Sequence, residues 1–387
     1  MNLEDLQSYK EKYPRLLATA EWILCHWPWL EKKITSSGAV AKEISAETDS
    51  VISKMADELK PYREKFQSHY RLPARGKDRK SILTELEQLA KLESPRWQKG
   101  MASGAVYHGD GEHIAFLNKA YNLHSQSNPL HFDLWPSASK FETEIIAMTA
   151  NMLSPGVDEA TKSQLSGTIT SGGTESILLA MKTYRDDAKE KRGITRPEMI
   201  VPVSAHVAFD KAAQYFNIKL RKIPVDENYQ ADLSALKKAI NRNTVVIVGS
   251  APCFPHGMID PIAQMSAIAL EHGIPFHTDA CLGGFVLPFA KKSGATVPDF
   301  GFELPGVTSI SVDTHKYGYA AKGTSVILYR NPELRRQQFF SITDWPGGLY
   351  FSPTFAGSRP GGLSAACWAA LVSMGEGGYL NATKKIL

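Results

Sequence analysis

A chain of 387 residues can hold one large α/β body with appendages, or two or three domains. Hydrophobic residues at 43% and charged residues at 22% exclude general disorder. A net charge of +4 over that length offers no footing for nucleic acid, and no apolar run reaches the ~20 residues that span a bilayer.

From the N-terminus, apolar residues recur at helical spacing over Leu3–Leu17, Asp49–Phe66 and Ser81–Leu92, so residues 1–110 read as a mainly helical extension. The start lacks a signal-peptide core, and the apolar Trp22–Leu30 is short and broken by Pro28, which favours a packed helix over a membrane anchor. The basic stretch Arg71–Lys80 reads as a solvated loop. Helices are expected at Glu112–Leu123 and Ser139–Leu153. Strand and helix then alternate: strands at Gly167–Thr170, Met199–Val203, Leu220–Ile223, Val245–Ser250, Pro275–Thr278, Ser309–Val312 and Ser325–Tyr329, and helices at Ser176–Asp187, Val207–Phe216, Leu233–Ile240 and Ile262–His272. This order predicts a mostly parallel, helix-covered sheet of the α/β class, with its site at the carboxyl ends of the strands. The four cysteines, Cys25, Cys253, Cys281 and Cys367, show neither CxxC pairing nor metal-site spacing, so reduced thiols in a soluble, cytoplasmic protein without a metal are expected.

Three motifs stand at strand ends. Ser171-Gly-Gly-Thr-Glu-Ser176 opens a helix, where free N–H groups and the hydroxyls of Thr174 and Ser176 suit an anion; a plain capped turn reads the same way. In His277-Thr-Asp-Ala-Cys-Leu-Gly-Gly284, Asp279 ends a buried strand and needs a partner, either a protonated pyridine nitrogen or the next turn, and Gly283 and Gly284 allow close packing. In Ser311-Val-Asp-Thr-His-Lys-Tyr-Gly318, Lys316 forms a Schiff base if burial depresses its pKa, with His315 beside it as a phosphate donor; an ordinary surface lysine is the other reading. The three in this order resemble the large domain of fold-type I pyridoxal-phosphate (PLP) enzymes.

The resemblance narrows on SGAVYHGD (103–110), SNPLH (127–131), SAHVAFDKAA (204–213), GSAPCFPHG (249–257), HTDACLGGF, DTHKYGYAAKG (313–323) and FAGSRPGG (355–362). From about Ser94 onward the chain is similar to the sphingosine-1-phosphate lyase family, in the group II decarboxylase-like branch. That resemblance implies a transferase-like fold with a seven-stranded, mostly parallel sheet, a PLP-binding body at 111–360, and 361–387 as the truncated start of a C-terminal small domain. It implies that Lys316 carries PLP, that Asp279 pairs with its ring nitrogen, that His206 stacks on the ring, and that Gly173, Thr174 and His315 hold its phosphate. It further implies a homodimer with shared active sites, in which Gly357 and Ser358 reach the neighbouring cofactor, and a site for a phosphorylated sphingoid base formed by Tyr107, Asn128, His131 and Lys322. Tyr107 or Lys322 is then the base for the reacting hydroxyl. The expected reaction is retro-aldol cleavage to a long-chain aldehyde and phosphoethanolamine; an amino-acid decarboxylase and an inactive PLP-fold scaffold are the alternatives.

Overall fold

The computed structural model describes residues 65–100, 102 and 104–387, with residues 38, 42, 45, 46, 48–50, 52, 53 and 62 before them. The helix expected at Leu3–Leu17, the Trp22–Leu30 segment, Cys25 and most of Asp49–Phe66 lie outside the described residues. The chain divides into two compact units, Met1–Pro95 and Arg96–Leu387. The first ends within α1 (Arg79–Gln98), which covers the expected Ser81–Leu92 helix and buries no residue. Asp78 caps it by accepting the Ser81 N–H at 3.0 Å.

The second unit opens with α2 (Gly111–Leu123), capped by Asp110, and α3 (Pro136–Met152), which starts on a proline whose missing N–H costs nothing at that position. There follow α4 (Glu159–Lys162), β1 (Ser166–Thr170), α5 (Gly173–Arg192), β2 (Glu198–Pro202), α6 (Ala208–Phe216), β3 (Lys219–Ile223), α7 (Leu233–Ala239), β4 (Thr244–Ser250), α8 (Ile262–Glu271) and β5 (Phe276–Asp279). A short turn at Gly283–Phe285 then leads to α9 (Leu287–Lys292), β6 (Val307–Val312), β7 (Ser325–Tyr329), α10 (Pro332–Arg336), β8 (Phe340–Ile342), β9 (Tyr350–Ser352) and α11 (Gly361–Ile386).

Seven strands form one sheet in the order β1-β7-β6-β5-β4-β2-β3. Neighbours from β6 to β3 are parallel, and β7 runs antiparallel to both β6 and β1. Sequence dictates position: β4 (TVVIVGS) is buried at every residue and lies inside the sheet, while β3 (KLRKI), half charged, lies on its edge. The hairpin β8–β9 and helices α4, α9 and α10 were not anticipated. Gly283 and Gly284 pack as expected: a Cβ would collide with the Ala251 carbonyl at the first and with Val312 at the second. Gly375, at φ 55°, interrupts α11, and beyond the break the Tyr379 hydroxyl donates to the Gly318 carbonyl at 2.7 Å.

Candidate active site

Because β7 returns beside β6, residues 313–324 form a tight connection at the carboxyl end of β6. Its turn is held by Lys316 N–H to Asp313 O (3.3 Å), Ala320 N–H to Thr314 O (3.0 Å) and a Thr314–Thr324 hydroxyl bond of 2.8 Å. The Lys316 ammonium lies 2.9 Å from Asp313 Oδ2. Burial works to lower the Lys316 pKa, but Asp313 foremost, with Cys281 and Asp279, together outweigh it and hold the amine above the usual lysine range. The expectation of a depressed lysine is therefore corrected: with Asp313 as its partner, the amine is stabilised as a cation. His315 donates Nδ1–H to the Thr324 carbonyl at 2.6 Å, and its Nε2 stands 4.0 Å from Asp313 Oδ2.

Lys316 shares a cavity of about 240 Å³ with Tyr107, His108, His113, His315 and Lys322. Lys322 Nζ lies 4.9 Å from the Tyr107 ring centroid. Burial, and then the charge on Lys316, lower the pKa of Lys322. Burial raises that of Tyr107, against a lowering by Lys316.

Asp279 ends β5 nearly buried, at 6% exposure. Its Oδ1 accepts the Cys281 N–H at 3.1 Å and the Ser311 hydroxyl at 3.2 Å, and its Oδ2 receives no hydrogen bond from the described residues. At the end of β1, Gly173 starts α5 where a Cβ would stand 2.7 Å from Asp313 Oδ1 and 2.9 Å from Cys281 Sγ, so only glycine lets the helix begin there. Thr174 is exposed beside it. Ser176 is not free to donate outward: its hydroxyl is engaged with Thr170 (2.7 Å) and Ser325 (2.9 Å). His206, exposed past the end of β2, accepts the Ala208 N–H on Nδ1 at 3.1 Å.

Asn128 and His131 do not line the cavity that holds Lys316 and Lys322. Asn128 Oδ1 accepts the backbone N–H groups of Leu130 and Arg359, both at 3.1 Å. Exposed His131 lies edge-on to Trp135, centroids 6.4 Å apart. The loop carrying Gly357 and Ser358 is tethered on both sides, by Phe355 N–H to Glu175 Oε1 (3.1 Å) and by the Arg359–Glu142 fork (2.6 and 3.1 Å). At its end Gly361 and Gly362 pass so close to Ser127 and Tyr121 that a Cβ would not fit.

Sequence reading missed Asp313, Glu142, Glu175 and Arg359, and gave His277 and Ser311 no part of their own. Asp313 had a signal, three residues before Lys316 in a turn. So did His277, Ser309 and Ser311, polar residues at period two within each strand.

Residues 61–343 match the model of the pyridoxal-dependent decarboxylase conserved domain. The chain is 55% identical to a sphingosine-1-phosphate lyase of Arabidopsis thaliana, over 78% of this chain and 57% of that protein. It is 50% identical to sphingosine-1-phosphate lyase 1 of Rattus norvegicus, over 82% of this chain and 54% of that protein. The chain thus spans little more than half the length of these relatives. The solved structure of a Burkholderia pseudomallei sphingosine-1-phosphate lyase superposes with a TM-score of 0.82 at 48% identity, covering 84% of this chain and 75% of that one. A glutamate decarboxylase of Lactobacillus brevis, at 19% identity and a TM-score of 0.65, shares the fold. Among the described residues no helix is long and apolar enough to cross a membrane. The chain belongs to the pyridoxal-dependent decarboxylase family, in its sphingosine-1-phosphate lyase branch.

Proposed function

We propose that this protein cleaves the C2–C3 bond of a phosphorylated sphingoid base, giving a long-chain aldehyde and phosphoethanolamine. The observation that carries the reading is the cavity in which Lys316, Lys322 and Tyr107 meet, beside the carboxylates Asp313 and Asp279.

The residues present fit PLP. Asp313 Oδ1 is buried without a hydrogen-bond partner, Asp279 keeps Oδ2 free, and the glycine at the start of α5 brings unpaired helix N–H groups to the strand ends. Lys316 would hold the cofactor covalently, Asp279 its ring nitrogen, His206 its face, and Gly173, Thr174 and His315 its phosphate. Bound there, PLP supplies an electron sink for the breaking bond. Because His315 Nδ1–H is already donated to Thr324, His315 serves a phosphate through Nε2, and donates there only as imidazolium.

For the substrate, Lys322 offers a cation to the phosphate or, once neutral, a base for the C3 hydroxyl. Its lowered pKa makes it the better base of the two candidates, since the Tyr107 phenol is moved away from ionisation. Tyr107 presents its ring to that amine at 4.9 Å. We assign Asn128, His131, Gly357 and Ser358 to the shared site of a homodimer, with residues 111–360 as its cofactor-binding body. The support is that Asn128 is bonded to the loop of Gly357 and Ser358 rather than to the Lys316 cavity.

The test is to incubate the PLP-loaded protein with a phosphorylated long-chain base and measure both products. Wild type is expected to release aldehyde and phosphoethanolamine in equal amounts, and Lys316→Ala neither. Release of carbon dioxide from an amino acid instead, with no aldehyde, overturns the reading in favour of a decarboxylase.

A further inference from the structure

Behind Asp279, away from the cavity, a line of buried polar side chains runs across the sheet into α5. His277 and Asp279 point to one face of β5, and Ser309 and Ser311 to the same face of β6, paired His277 with Ser309 and Asp279 with Ser311. All four are at most 6% exposed, and Tyr184 of α5 closes over them at 1%. Successive contacts are Tyr184 hydroxyl to Ser309 Oγ (2.5 Å), Ser309 Oγ to His277 Nδ1 (2.7 Å), His277 Nε2 to Ser311 Oγ (3.1 Å) and Ser311 Oγ to Asp279 Oδ1 (3.2 Å).

The carboxylate fixes the direction of every hydrogen. Ser311 has one hydrogen and three polar neighbours: Asp279, His277 and the Cys281 thiol at 3.5 Å. The charged acceptor takes it, because a hydrogen bond to an ion is about twice as strong as one between neutral groups. His277 must then carry its proton on Nε2 to face the Ser311 oxygen, and its bare Nδ1 accepts from Ser309, which in turn accepts from Tyr184. Burial keeps the ring neutral, with its pKa pushed down to about 4 against the pull of Asp279, so a single tautomer satisfies the whole line. Thr308 Oγ1, 2.7 Å from the same phenol, donates its own hydrogen to Phe276 O and competes for that of Tyr184, so the far end is the weakest link.

We propose that Tyr184, Ser309, His277 and Ser311 form a relay that positions Asp279 for the cofactor's ring nitrogen. With Cys281 N–H and Ser311 both on Oδ1, the carboxyl plane is pinned and Oδ2 is the oxygen left for the ring. These are positioning residues, acting through Asp279. The inference rests on the reading that Asp279 pairs with the ring nitrogen.

The experiment compares the dissociation constants of PLP and its 1-deaza analogue, which lacks that nitrogen, for the full chain and four variants. Wild type is expected to prefer PLP, and Asp279→Ala to lose that preference. Ser311→Ala is expected to reduce the preference by about three- to tenfold, the scale of one ordinary hydrogen bond. Ser309→Ala follows in the same direction, and Tyr184→Phe shows the smallest reduction. Thermal unfolding of each variant checks that it is folded, and the preference is a ratio within one protein, so general loosening cancels. Loss of preference in Asp279→Ala together with wild-type preference in Ser311→Ala and Ser309→Ala overturns the relay and spares the reading of Asp279. Wild-type preference in Asp279→Ala overturns both.

Discussion

The two faces of the β5–β6 pair are buried to similar depth, and one is far more polar than the other. One carries Phe276, Ile310 and Val312 into a core with Met265, Phe285, Phe300 and Phe302. The other carries His277, Asp279, Ser309 and Ser311 beneath α5. Its polar groups are tolerable there because each meets a partner, which an unpaired group at that depth would not survive without a large penalty. Burial alone therefore does not separate scaffold from chemistry in this sheet. What separates them is whether a side chain can be replaced by hydrocarbon without orphaning a neighbour.

That contrast can be broken from either side. Phe276→Ala opens a cavity on the apolar face and is expected to cost about 3–5 kcal/mol, read from urea denaturation, while the preference for PLP over its deaza analogue stays at the wild-type value. A changed preference would mean that the apolar face also steers Asp279. Lys322→Met is expected to leave stability alone and lower the cleavage rate by about a hundredfold, the scale of a lost general base. In wild type the rate should climb with pH as Lys322 loses its proton, at a pH below the ordinary lysine range, and the variant should lack that climb. His277→Leu keeps bulk but leaves Ser309 and Ser311 without their shared partner; a loss of about 2 kcal/mol is expected, together with a reduced PLP preference. A leucine there that stabilised the protein would place the polar face among the ordinary packing surfaces.

The smallest effect sharpens the contrast with a third setting, the sheet edge. Glu198 at the start of β2 is bonded to Arg221 of β3, which pulls its pKa from 4.5 down to about 2 despite the opposing effect of burial. Its stabilisation is full above the unfolded value and disappears as pH falls through the folded one. Glu198→Gln should cost about 1 kcal/mol at neutral pH, the gap to wild type closing between roughly pH 4.5 and 2 in denaturation curves.

Much of the sheet was legible because β2, β4 and β7 are short apolar runs bounded by turn residues; Ser325–Tyr329 matches residue for residue. The direction of β7 was not, since a strand's own sequence does not say which way it runs beside its neighbour. The hairpin β8–β9 was hidden because Trp345-Pro-Gly-Gly348 sits in its turn and its strands show no burial alternation. Lys316, Asp279 and Gly173 were readable as strand-end chemistry. The raised pKa of Lys316 was not, because it depends on which way the Asp313 carboxylate points. The bond between Asn128 and the Arg359 backbone was equally invisible, since motif order carries no distances.

The reversal of β7 has a consequence for how this site can change over time. A parallel neighbour to β6 would require a crossover of a dozen or more residues, usually through a helix. Here the twelve residues 313–324 double back with no helix between the strands, so the two amines, Lys316 and Lys322, ride on one connection. They stand six positions apart in the chain, and the helical layer reaches that bend through the Tyr379 hydroxyl on Gly318 O and His113 Nε2 on Tyr319 O. Changes in the helical layer that spare those contacts leave the placing of the two amines to the bend itself.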